Sequence, residues 1–266
     1  MAKKITQNLT KKLWSKSSYY IHAEAASAIS DHPGLVKISK LAKKAKTILE
    51  VGCGEGSKLA QIAKTSQAFG VDISEEAIKI ALKKYPKLKF LVGDITKLPL
   101  EADFFNLTFS AFVLEHTEVP EKAILEQIRV TQNGGKLAFI APNFGAPNRA
   151  SPCFKGNRIV KLILGFFKDL FYFFTKPKNL NWLKVQPRLS EPYQIDFDTQ
   201  VEPYLLTLKM FLEQKKIKIV EISSYWQMEL KQAKIIQKIF RFLGEKLKIY
   251  PFSYWGPHLF IIGGKL

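Results

Sequence analysis

Apolar residues in the first half of the chain fall into short blocks that alternate with stretches of helical spacing. Leu35, Ile38, Leu41 and Ala45 recur every three or four positions, which predicts a helix over 34–46 packed on a sheet. Ile48, Leu49 and Val51 enclose Glu50, and glycines follow at 52, 54 and 56, so this stretch reads as a buried strand running into a tight turn and a helix from Lys58. The alternation continues with a strand over 68–73, a helix over 74–85 stopped by Pro86, and strands over 88–92 and 105–110. A helix over 121–130 with Pro120 in its first turn, a turn over 131–135 and a strand over 136–141 complete it. This order prescribes right-handed crossovers and an α/β, doubly wound sheet.

After Asn143 the pattern breaks. Residues 144–199, with prolines at 147, 152, 177, 187 and 192, read as an inserted helical cap, and a helix over 201–213 with strands over 216–222 and 258–263 finishes the sheet. The expected organisation is an N-terminal arm (1–33), a core (34–143), the cap (144–199) and a C-terminal part of the core (200–266). Within the cap, Lys161, Gly165, Lys168 and Tyr172 draw a thin polar stripe on an otherwise apolar helix over 158–178. Such a helix must bury most of its circumference, either in the protein or at a bilayer interface. A second basic amphipathic stretch, 230–249, sets Ile236, Ile239, Phe240, Leu243 and Leu247 on one face and Lys234, Lys238, Arg241 and Lys248 off it.

Charge sharpens this picture. Forty-one Lys and Arg against 23 Asp and Glu give +18, enough for long-range attraction to nucleic acid, anionic lipid or an acidic substrate; a lysine-rich proteome from a hot habitat would give the same balance. Two cysteines build no disulfide framework and point to a reducing cytoplasm, and no metal site is expected. No run reaches the ~18 apolar residues of a membrane span, so the expected location is cytoplasmic, with contact to the inner face of the membrane as an extension.

Candidate chemistry gathers around the glycine turn, where the missing Cβ lets backbone approach a ligand. A dinucleotide fingerprint would need glycine at 57, where Ser57 stands. Asp72 ends the second strand 22 positions after Glu50, where a carboxylate can accept from ribose hydroxyls or cap the helix beside it. By composition alone Asp94 is a turn aspartate. Glu115 and His116 form an adjacent acid/base pair; His116 could take a proton from a substrate hydroxyl, or simply pack the next helix.

The stretch E-V-G-C-G-E-G, residues 50–56, resembles the first motif of class I S-adenosylmethionine-dependent methyltransferases, and in particular the methyltransferase type 11, ubiquinone–menaquinone methyltransferase-like group. Residues 105–110 are similar to that family's F-D-L-V-x-S with Asn106 for Asp, and 126–143 to its R-V-L-x-P-G-G-x-L-x-I-x-x-P-N with Asn133 for Pro. The resemblance implies a Rossmann-like, seven-stranded sheet whose last strand inserts antiparallel between the fifth and sixth. It implies S-adenosyl-L-methionine as cofactor. Glu50 would orient the turn and help hold the cofactor's amino group, with Gly52, Cys53 and Gly54 forming the cradle. Asp72 would take the ribose with Ile73 on the adenine; Gly93, Asp94 and Ile95 would hold and cover the base; Ser110, Ala111 and Phe112 would line the methionine end. Tyr20 and His22 become candidates for a lid, or pack an N-terminal helix. The expected acceptor is a small, hydrophobic or lipid-like molecule with an O, N or C nucleophile, and the two basic amphipathic stretches with the net charge add an anionic membrane surface as an expected partner. The competing expectation is an RNA-binding protein or RNA methyltransferase, with Trp182, Trp226 and Trp255 as stacking surfaces; no Asn-Pro-Pro-Tyr-like sequence follows the fourth strand to support it. A nicotinamide dehydrogenase ranks last.

Overall fold

A computed structural model describes Trp14 and residues 31–63, 67–188, 194–229 and 232–266. Helix α1 (Pro33–Ala42) starts at His32, whose Nδ1 accepts from the Gly34 N–H, and buries Leu35, Ile38 and Ala42. Strand β1 (Thr47–Val51) runs into the glycine turn and α2 (Ser57–Ile62). Then come β2 (Gln67–Asp72), α3 (Glu75–Lys84) and β3 (Lys89–Val92). Ser74 caps α3 by accepting from the Ala77 N–H, with Glu75 and Glu76 in the first turn and Lys83 and Lys84 in the last, as the helix dipole favours. Strand β4 (Phe105–Ala111), α4 (Pro120–Val130) and β5 (Thr131–Pro142) complete the first half.

The second half holds α5 (Arg158–Phe174), a two-residue pair β6 (Leu183–Lys184) and β7 (Val201–Glu202), then α6 (Leu205–Gln214), β8 (Ile217–Ser223), α7 (Ile235–Arg241) and β9 (His258–Lys265). The main sheet has seven strands in the order β3-β2-β1-β4-β5-β9-β8. Its first five strands are parallel, and β9 pairs antiparallel with both β5 and β8. The seven-stranded, Rossmann-like architecture is therefore as expected. Helices α1, α2 and α3 contribute to one core cluster, and α4, α6 and the C-terminal loops to another.

Four local expectations are corrected. Residues 131–135 do not form a free turn: Thr131 already pairs with Phe105, a register shift absorbs the extra residues, and the Thr131 and Thr108 hydroxyls meet at 2.7 Å. The sixth helix begins at Leu205 rather than 201, because Glu202 precedes Pro203 and is held extended in β7. The second basic helix is shorter than its pattern. It runs over Ile235–Arg241 and opens into a π-turn over Phe242–Lys246, where a Cβ on Gly244 would lie 2.3 Å from the Phe252 carbonyl oxygen; Leu230 lies outside the described residues. The three tryptophans offered as stacking surfaces are buried, their indole N–H groups donating to Thr207, the Phe252 carbonyl and Asp169.

Helix α5 inverts the ordinary arrangement. Three of the four stripe residues face the protein: Lys161 donates to the Phe144 carbonyl and to Glu202, Gly165 abuts Pro147, and Tyr172 is buried, while Lys168 is exposed. Asp169 is 1% exposed, accepting from Tyr204 Oη (2.5 Å) and Trp255 Nε1 (2.8 Å). Leu162 and Phe166 pack on the core, but nine other apolar residues of α5 point outward, so the expectation that it buries most of its circumference does not hold among the described residues.

Candidate active site

The glycine turn closes on itself before it faces anything else. The N–H groups of Gly52 and Cys53 both donate to the Val71 carbonyl, binding the turn to β2. Gly52 takes φ +75°, and a Cβ there would lie 2.6 Å from Val113, so the segment following β4 presses directly on the turn. Cys53 turns its side chain into the core, 0% exposed against Gly70; only its backbone belongs to the turn.

Beneath this turn lies a buried charged cluster. Glu50 is 0% exposed, and neither carboxylate oxygen accepts a hydrogen bond; Lys58 Nζ at 4.0 Å and the nearby Leu59 N–H are its polar company. Burial pushes the Glu50 carboxyl up to about 8 against the partial help of Lys58. Asp72, by contrast, is engaged. Its Oδ2 accepts from the Gly54 N–H and its Oδ1 from the Ser74 N–H, each at 2.9 Å, so it fixes the turn to the start of α3 and keeps lone pairs for a ligand. Burial raises its pKa despite those two donors. Ile73 is half-buried beside it. Glu55 and Lys58, which the sequence reading passed over, complete the cluster, Glu55 accepting from the Ser57 hydroxyl.

The next strand ends are more open. Gly93 is half-buried against Pro99 and Val71. Asp94 is exposed, and its Oδ1 accepts from both the N–H and the hydroxyl of Thr96 at 2.8 Å, the turn geometry that composition alone suggested; Ile95 is half-buried next to it. Ser110 is buried with its hydroxyl unpartnered, and Ala111 is buried at the end of β4. Phe112 has φ +61° and turns its ring edge-on to His32 (5.6 Å) and His258 (5.8 Å).

Those two histidines were invisible to sequence reasoning, being 226 positions apart. Their rings stack, with Nε2 of His32 and Nδ1 of His258 3.0 Å apart, and burial pushes both pKa values down to about 4. The pair is therefore neutral at physiological pH, and with Phe112 and Tyr225 it makes an uncharged aromatic wall.

Glu115 and His116 lie on a single 3₁₀ turn after β4, which the His116 N–H closes by donating to the Val113 carbonyl. The structure adds a partner from the cap: Asp198 Oδ2 lies 3.4 Å from His116 Nδ1, while Glu115 Oε1 is 3.7 Å from Nε2. Burial would lower the His116 pKa, but Asp198, Glu115 and Asp196 outweigh it and raise it. Glu115, 1% exposed with Oε2 unpartnered, is pushed up to about 7 by burial. Trp14 spans the same place. Its indole N–H donates to Asp198 Oδ2 (3.1 Å), its carbonyl accepts from the Ser74 hydroxyl (2.7 Å), and its ring meets His116 edge-on. Tyr20 and His22 lie outside the described residues.

A fully buried carboxyl group below a glycine turn, and an aspartate at the end of the neighbouring strand, are acceptors suited to a sulfonium nucleoside whose cationic amino group and ribose hydroxyls donate. The residues present fit S-adenosylmethionine: an orphaned Glu50 is costly unless a ligand supplies its partner. With the strand order, this defines a class I S-adenosylmethionine-dependent methyltransferase fold. Residues 49–139 match the family described as "Methyltransferase domain".

Among curated relatives, the chain is 32% identical over 102 residues to a demethylmenaquinone methyltransferase of Renibacterium salmoninarum, covering 37% of this chain and 43% of that one. It is 34% identical over 107 residues to the ajmaline N-methyltransferase of Rauvolfia serpentina, covering 37% of each. The matches thus span well under half of these relatives' length. Among solved structures, a methyltransferase in complex with the Haloferax volcanii Trm112 methyltransferase activator superposes with a TM-score of 0.54 at 14% identity, covering 94% of this chain and 96% of that one; at such identity it speaks for the fold alone.

Proposed function

We propose that this protein transfers a methyl group from S-adenosyl-L-methionine to a nucleophile on a small hydrophobic acceptor. The observation that carries the reading is Glu50, buried at the turn with both oxygens unpartnered. Bound there, S-adenosylmethionine would supply an electrophilic methyl group on a positively charged sulfur. Glu50 would take the cofactor's amino group, Asp72 the ribose, and Asp94 with Ile95 the adenine, while the backbone of Gly52, Cys53 and Gly54 and the strand end at Ser110–Phe112 enclose the rest.

The protein's own work is alignment, exclusion of water and handling of one proton. His116 holds the proton released by an attacking hydroxyl or amine, and Asp198 stabilises the imidazolium so formed; Glu115 stands at the other nitrogen. Half-buried Phe112 and His258, backed by the buried His32 and Tyr225, present an uncharged aromatic surface that suits an acceptor with a flat, apolar body. One relative carries demethylmenaquinone in its name and another an alkaloid, which agrees with a hydrophobic small molecule as the class and leaves the acceptor atom open. A lipid-like acceptor partitions into membranes, and the inner face of the cytoplasmic membrane is where the protein would meet it. The RNA reading loses its stacking surfaces, since the tryptophans it relied on are buried, and keeps only the net charge of +18.

The test has two parts. Calorimetric titration should yield a saturable S-adenosylmethionine site; its absence sinks the proposal. Labelled methyl from the cofactor should then appear in the organic-solvent extract of a cell lysate and not in its RNA, and label in RNA alone would replace the acceptor class.

A further inference from the structure

Fifteen of the 26 exposed large apolar side chains among the described residues lie on two stretches, 159–174 of α5 and 235–249 of α7 and the segment after it. On α5, Phe167, Phe171 and Phe174 are 62, 61 and 83% exposed, following one another along a single face at helical spacing. They are not loosely placed. The opposite face of α5 is fixed by Asp169, by the Lys161–Glu202 pair and by Gly165 against Pro147, so the helix is held apolar side out.

The two stretches are neighbours, joined through one aromatic cluster. Phe252 stacks on Phe166 of α5 at 6.0 Å and on Phe240 of α7 at 5.5 Å, Phe173 meets Tyr250, and Asn148 donates to Gln237. A monomeric soluble protein rarely leaves so large an apolar area uncovered.

Charge identifies what covers it. Residues 155–178 and 234–248 carry nine exposed lysines and arginines. Their two acids are withdrawn: Asp169 is buried and Glu245 is held by Arg241 at 2.7 Å. An apolar face rimmed only by cations repels a second copy of itself, and most of its exposed side chains are Ile, Leu and Val, which offer bases no stacking surface. A bilayer with anionic headgroups matches both features, apolar side chains entering between acyl chains while lysines remain at the phosphates. No helix among the described residues is long and apolar enough to cross a membrane.

We propose that the paired surface of α5 and the 235–249 segment is a docking face for an anionic lipid bilayer, with both elements lying in the interface plane. The inference stands on surface chemistry alone and does not depend on the methyl-transfer reading. It has a geometric consequence for that reading: Glu202, which anchors Lys161, is two residues from Gln200, whose N–H donates to the Glu115 carbonyl, so the docked face connects to the His116 turn within one short segment.

Flotation of the full chain with vesicles tests it. Vesicles of phosphatidylcholine mixed with phosphatidylglycerol should carry the protein upward at low salt and release it at high salt, whereas phosphatidylcholine alone should carry little. The doubly substituted Phe167→Asp/Phe174→Asp and Lys234→Glu/Lys238→Glu proteins should each lose roughly tenfold in binding to the anionic vesicles. Circular dichroism and cofactor titration should match the parent, as all four side chains are exposed. Absence of flotation, undiminished flotation of both variants, a dimer abolished by Phe167→Asp/Phe174→Asp, or nucleic acid that co-purifies and displaces the vesicles would each overturn the proposal. A protein that floats but takes up no S-adenosylmethionine leaves it standing and removes the proposed function instead.

Discussion

The turn after β1 and the inner face of α5 each bury a carboxylate to 1% exposure or less, and each raises its pKa by burial, to about 8 for Glu50 and about 6 for Asp169. The resemblance ends there. Asp169 accepts from Tyr204 and Trp255, whereas Glu50 accepts nothing. A buried acid whose donors come from the protein holds the fold together; one without donors marks the place where a ligand must bring them. Burial alone distinguishes neither.

The contrast breaks most visibly under substitution. Asp169→Ala leaves the Tyr204 hydroxyl and the Trp255 N–H without acceptors in the core and should cost about 3 kcal/mol in chemical denaturation, with cofactor affinity of the folded fraction unchanged. An unaltered midpoint would place the two acids in one class after all. Glu50→Gln should do the reverse, lowering cofactor affinity roughly 100-fold by calorimetry while leaving the ligand-free protein as stable or more so.

The pH dependence carries the same sign. The folded Glu50 carboxyl titrates at about 8, above its ordinary 4.5, so the stability due to its neutral form is complete below 4.5 and is lost as pH rises through 8. Thermal unfolding of the ligand-free protein at a series of pH values should show that component, and Glu50→Gln should lack it.

The smallest effect sharpens the picture on the acceptor side. Asp198 raises the His116 pKa, so in Asp198→Asn the acid limb of the pH–rate profile should move to lower pH, with kcat falling and the cofactor's Kd unaffected. A profile that does not move would reduce Asp198 to a packing partner.

The alternation of strands and helices could be read from the chain because each βαβ unit is local and writes its own periodicity, whereas the place of β9 between β5 and β8 came from the family resemblance alone. Glu50 and Asp72 were legible for the same reason, each standing at the end of a strand whose pattern is unambiguous. What joins them to the rest was not. His116 meets Asp198 across 82 positions and Trp14 meets Asp198 across 184, and no periodicity records such distances. The orientation of α5 was lost differently. Spacing tells which residues share a face and is silent about which face turns inward; Asp169, a single acid on an apolar helix, was the only hint that the polar side was wanted inside. Asn106, where the resembled motif has Asp, accepts from the N–H groups of Lys46 and Thr47, a role at the far end of β1 that an amide fills.

The position of β9 bears on how the molecule is born. Its eight residues occupy the slot between β5 and β8, so until Lys265 has left the ribosome those two strands have no common neighbour and each presents a bare edge. Lys265 then ties itself to the carbonyls of Ile128 and Thr131 and to Asp103. A nascent chain stalled before this strand would hold an assembled nucleoside half beside an unclosed sheet, the state in which chaperone capture and proteolysis have their best opportunity.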